Sequence, residues 1–127
     1  MDTLTILNGS NKLEIGPRNG EYLDILFSSQ NVKVSTKSYL YRDAEELSTF
    51  FKSLAANWKG WEGCKTWHSI ESDIHFEAIH NNLGAIILKF QIQQDQTSNP
   101  WAFKGQISIE LGMLQSISEN AEKIFTS

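Results

Sequence analysis

Residues 57 to 80, NWKGWEGCKTWHSIESDIHFEAIH, gather the chain's one cysteine, all three histidines and three of its four tryptophans. His68, His75 and His80 are the types of side chain that bind divalent metals, and His75 is flanked two residues away by Asp73 and Glu77. In an extended segment these three would share a face, but neighbours on one strand face lie about 7 Å apart. That spacing is too wide for one trio to enclose an ion. No HExxH, paired CxxC or acidic calcium-loop spacing accompanies them, so no metal and no cofactor is expected. Cys64 with a histidine as base would be a thiol nucleophile. Such chemistry needs a base within hydrogen-bond reach, a group to orient it and an oxyanion site. Around Cys64 the chain offers only Gly60 and Gly63, and a free cysteine usually serves as a small apolar filler. There is no GxSxG elbow for a serine nucleophile either. The reading is therefore of a protein that is not an enzyme.

Two other features of this span suit binding. Glu71, Asp73 and Glu77, with His75 among them, would line one side of a strand. They read as a plain solvated face or as an acidic strip that docks a basic partner. Paired acid–base carboxylates at Glu71 and Glu77 are discounted, because nothing nearby suggests a sugar pocket. Among the tryptophans, Trp58 and Trp101 are expected to be structural. Trp61 and Trp67 flank a glycine-rich reversal, and one of the two is a candidate anchor for a partner.

The elements that must position these residues follow from periodicity. Leu4 and Ile6, Leu13 and Ile15, then Leu23, Ile25 and Phe27, then Val32 and Val34 alternate with polar neighbours. Asn8-Gly9, Gly16-Pro17, Asn19-Gly20 and Ser28 to Asn31 punctuate them, as in antiparallel hairpins. At Asp43 the period changes. Asp43 is a natural N-cap with Glu46 three residues on, and Leu47, Phe50, Phe51, Leu54 and Trp58 form one helical face closed by Gly60 and Gly63. Alternation then returns in Ile74–Phe76, in Ile86, Leu88, Phe90 and Ile92, and in Trp101, Phe103, Ile107, Ile109 and Leu111, with Gly105 a bulge or a close-packing point. Beyond Gly112, Met113 or Leu114, Ile117, Ala121, Ile124 and Phe125 give a second amphipathic helix. The order strands, helix, strands, helix predicts an α+β fold, with an antiparallel sheet covered on one side by the two helices.

At 127 residues the chain, 1–127, is expected to be one domain. It is 40% hydrophobic and 11% aromatic, enough to bury a core without a disulfide or metal. A formal net charge of −4, with lysines and arginines scattered, argues against nucleic acid as the ligand. No phosphate-binding glycine loop follows any strand. The N-terminus lacks a signal-peptide layout and the longest apolar run, Ala85 to Leu88, cannot span a bilayer. No membrane partner is expected, and the expected location is cytoplasmic.

The pattern W-x-G-W at Trp58, Gly60 and Trp61, W-x-S-x-E at Trp67, Ser69 and Glu71, then Gly84, Ile86 and Leu88, and finally Trp101, Ile107, Ile109 and Gly112, resembles a family of small bacterial proteins catalogued as a domain of unknown function. The likeness runs over roughly residues 43 to 126. The size and layout are similar to those of immunity proteins of polymorphic and contact-dependent toxin systems. That resemblance implies a non-catalytic antitoxin that binds a cognate toxin domain, such as a nuclease, and covers its working surface. The contact residues would then be Glu71, Asp73, His75 and Glu77, with Trp61 or Trp67 as anchor, and the partner basic. Two readings stand beside it: a small-molecule module with its pocket between sheet and helices, and a small cysteine or histidine enzyme.

Overall fold

Alternation of apolar and polar residues builds the first four strands. In the computed structural model, which describes residues 3–40, 44–95 and 97–126, β1 (Leu4–Asn8), β2 (Asn11–Asn19), β3 (Tyr22–Ser28) and β4 (Lys33–Tyr39) form an antiparallel meander in chain order. Leu4, Ile6, Leu13, Ile15, Leu23, Ile25 and Phe27 are all buried, the inward half of a pleat with period two. Gly9 and Gly20 sit in hairpin turns at φ 60° and 66°, where a side chain would be strained. Gly16-Pro17 does not end a strand as expected. β2 runs through it, and the register against β3 shifts between Ile15 and Arg18, so the pair is absorbed as a bulge. Val32, expected in β4 with Val34, lies exposed in the preceding turn, where its carbonyl accepts a bond from Ser29 N–H at 2.9 Å.

The helix α1 (Ala44–Ala56) follows, with Glu45 and Glu46 in its first turn at the positive end of its dipole. The proposed cap Asp43 lies outside the described residues. Leu47, Phe50, Phe51 and Leu54 are buried as the 3–4 spacing predicts. Trp58 is not: the helix ends at Ala56, two residues before it, and its side chain is 50% exposed. The spacing pattern outran the helix.

The second meander consists of β5 (Cys64–His68), β6 (Ile74–His80), β7 (Ala85–Gln94) and β8 (Trp101–Glu110), again antiparallel and in chain order. A short 3₁₀ turn (Leu111–Met113) leads into α2 (Leu114–Phe125), whose Leu114, Ile117, Ala121, Ile124 and Phe125 are buried. Gly105 is a close-packing point. It pairs with Phe90, and a Cβ there would come within 2.8 Å of the Phe90 ring. Trp101, expected in the core, pairs with Gln94 at the far end of the β7–β8 ladder and is 39% exposed.

The fold is α+β in the expected element order, but the strands form two four-stranded sheets rather than one. α1 separates β4 from β5, and those two strands do not pair with each other but end up in different sheets. The chain therefore repeats one plan, a four-strand meander followed by a helix, which no residue-level repeat announced. Each helix packs on the sheet of the other half. α1 lies along β5, with the Phe50 and Phe51 rings 6.0 and 6.1 Å from Phe76, while α2 covers β1 and β2. The helices also pack on each other. Phe27 of β3 meets Phe90 and Phe103 at 5.0 and 5.6 Å, so one continuous apolar cluster spans both sheets and both helices. No helix among the described residues is long and apolar enough to cross a membrane.

Candidate functional site

The strand residues flagged by charge do not form one strip. β6 begins only at Ile74, and Ser72, just before it, has a left-handed backbone at φ 59°. That turn resets the alternation, so Asp73 and Ile74 are buried in succession. Asp73 is a correction to the expected outward face. Its Oδ1 accepts bonds from Ser38 Oγ at 2.5 Å and Ser69 Oγ at 2.6 Å. Ser69 Oγ in turn accepts the Ile74 N–H at 3.1 Å. Charged acceptors hold such bonds roughly twice as strongly as neutral ones, and Ser38 belongs to β4, so this carboxylate ties the first sheet to the second. Glu71 sits apart, exposed in the turn between β5 and β6. Only His75 and Glu77 remain together, half-buried on the outer face of the second sheet.

The three histidines are engaged separately. His80 is buried. Its Nδ1 accepts the Asn82 N–H at 3.0 Å and its Nε2 donates to the Trp58 carbonyl at 2.8 Å. A ring nitrogen that accepts carries no proton, which fixes the Nε2–H tautomer. His68 and His75 are cross-strand partners with ring centroids 5.8 Å apart. His68 Nδ1 meets the Ser69 carbonyl and His75 Nε2 the Ser72 carbonyl, each at 3.0 Å. Cys64 is exposed, opposite Ile79, and His68 lies four residues along the same strand, about 13 Å away by the strand rise. Cys64 and His68 are thus not arranged as nucleophile and base, and the ring nitrogens of His80, next to the Cys64 partner Ile79, are taken up by Trp58 and Asn82.

The tryptophans also redistribute. Trp67, a candidate anchor, is 7% exposed and packs on Phe76 at 5.6 Å, because it occupies an inward position of β5. Trp61 is half-buried, edge-on to His80 at 5.4 Å. Neither indole N–H, though buried, has a hydrogen-bond partner among the described residues.

What the second sheet does present is a shallow groove of about 570 Å³ across β6, β7 and β8, lined by His75, Glu77, Lys89, Gln91, Lys104 and Gln106. Register places Glu77 opposite Lys89, Lys89 opposite Gln106 and Gln91 opposite Lys104, so a ligand there meets side-chain donors and acceptors in alternation. The long polar residues of β7 and β8 were legible as outward positions. Their joining with β6 into one surface depends on register, which periodicity alone does not give. The first sheet carries a groove of similar size, about 540 Å³, with Glu14, Asp24, Leu26 and Lys37 among its lining. There Asp24 and Lys37 pair at 3.2 Å and Lys12 and Glu14 at 3.5 Å. Among the described residues, no ion pair engages Glu77, Lys89 or Lys104.

Residues 18–127 match the model of a family of unknown function (DUF6228), and the chain belongs to that family. The match runs from the end of β2 onward and takes in β3, β4, both helices and the whole second sheet. No curated protein matches the chain.

Proposed function

We propose, from membership of a family that brings no activity with it, that this chain is a non-catalytic immunity protein. It binds a cognate toxin domain in the cytoplasm through the outer face of the second sheet. The observation that carries this is the open groove lined by His75, Glu77, Lys89, Gln91, Lys104 and Gln106 on a four-strand platform, where no ion pair among the described residues engages Glu77, Lys89 or Lys104. Interfaces use such arrays for orientation and specificity, with charge setting the encounter rate. Exposed Glu71 at the nearby turn and a net charge of −4 favour a partner that is basic overall, while in the groove Glu77 calls for a basic group and Lys89 and Lys104 for acidic ones. Asp73 and Trp67 play no direct part, since both are buried. A small-molecule module is supported by groove volume, which falls within the ligand range of about 300–1,000 Å³, but the groove is open rather than enclosed and its lining mixes polar and apolar surface.

The test is protection. A toxin domain encoded beside this gene is expressed alone and with the chain. Growth arrest relieved by the wild type, and not by Glu77→Lys combined with Lys89→Glu, is the expected result. Failure of the wild type to protect, or turnover of a substrate that requires Cys64, would end this reading.

A further inference from the structure

The reversal after α1 presents a second surface, unrelated to the groove. Two turns meet there, residues 57–63 after the helix and residues 81–84 between β6 and β7. They are locked by the His80 bonds to the Trp58 carbonyl and Asn82 N–H, by Gly60 N–H on the Asn57 carbonyl at 3.0 Å, and by Asn81 Oδ1, which accepts from Leu83 N–H at 2.8 Å and Ala85 N–H at 3.1 Å. Gly60 takes φ 137°, and a Cβ there would lie 3.3 Å from Asn82 Oδ1, so the two turns are in contact. This tightly bonded corner holds Trp58 at 50% and Leu83 at 88% exposure. Lys59 Nζ stands 5.6 Å from the Trp58 ring centre and Lys65 Nζ 5.2 Å from that of Trp61. Neither ammonium takes part in an ion pair among the described residues.

We infer that this corner docks an acidic, apolar segment of a protein partner: a leucine-like or aromatic side chain against Trp58 and Leu83, with a neighbouring carboxylate between Lys59 and Lys65. Exposed tryptophan set in a preorganised frame is the residue type that carries binding energy at interfaces. The cations stacked on the rings define the sign of the complement. A nucleic acid would also bring negative charge and stacking bases, but two lysines on a chain of net charge −4 supply too little phosphate neutralisation, and Leu83 offers no stacking plane. The corner lies at the opposite end of β6 from His75, about 16 Å along the strand, so it stands or falls independently of the groove.

The probe is a displayed library of random peptides selected on the intact chain, with a single-stranded oligothymidine as competitor. The expected consensus places Asp or Glu within two residues of Leu, Phe or Trp. Binding of the selected peptide should weaken at least tenfold in Trp58→Ala and in Lys59→Glu with Lys65→Glu, and should fall with added salt. Leu83→Ser, whose side chain is nearly all in solvent, gives a variant in which folding is not at issue, and it too should weaken binding. An absent or basic consensus, affinity indifferent to Trp58 and Leu83, or displacement by the oligothymidine would overturn the inference.

Discussion

The two halves of the molecule share a plan and differ in what they do with their outer faces. On the first sheet, Lys12 with Glu14 and Lys37 with Asp24 neutralise each other within about one side-chain length. On the second, Glu77 and Lys89 are register partners without an ion pair, and Lys104 faces Gln91. The inner faces are alike, both apolar and both fully used. A surface whose charges are already satisfied has little to gain from a partner, whereas one whose charges are held apart on a rigid sheet keeps that interaction in reserve. That difference is the reason for placing the proposed binding surface on the second half.

Four sets of substitutions would break or sharpen that contrast. The largest effect belongs to the point where the halves share a core. Phe76→Ala removes a ring packed on Phe50, Phe51 and Trp67 and should cost about 4 kcal/mol in urea unfolding. A loss under about 1 kcal/mol would mean that α1 does not bind the second sheet through this ring. Next, Asp73→Ala strips the acceptor shared by Ser38 and Ser69 and should cost about 3 kcal/mol. Ser38→Ala should cost less, because Ser69 keeps its bond to Asp73. Third, Gly105→Ala presses a methyl into the Phe90 ring, for a loss of about 1–3 kcal/mol. Paired with Phe90→Leu, it should cost less than the two changes summed. Smallest for stability and sharpest for function are Lys37→Glu and Lys89→Glu. Both should shift unfolding by about 0.5 kcal/mol or less, yet only Lys89→Glu should reduce protection against the toxin domain. Equal loss of protection from both would erase the contrast between the sheets.

Much of this was legible before any coordinates. Alternation found the inward residues of β1 to β3, and the 3–4 spacing found Leu47, Phe50, Phe51 and Leu54. What failed did so where a local conformation interrupts a period. Ser72 at positive φ moved Asp73 from an outer strip into the junction between the sheets. The end of α1 at Ala56 put Trp58 outside. The division into two sheets escaped because pairing is a long-range choice, and hydrophobic pattern is silent on which strands become neighbours. The groove escaped for the same reason: its residues come from three strands, each with an ordinary polar face.

The crossing of the helices, α1 over the second sheet and α2 over the first, bears on how the chain comes off the ribosome. The first sheet is synthesised early, yet the segment that roofs β1 and β2 is made only after every strand of the second sheet. Until then its apolar side has no roof, so native packing must wait for late synthesis rather than proceed half by half. Cleavage in the 57–63 turn should accordingly yield two pieces that are each unfolded alone and regain structure when mixed.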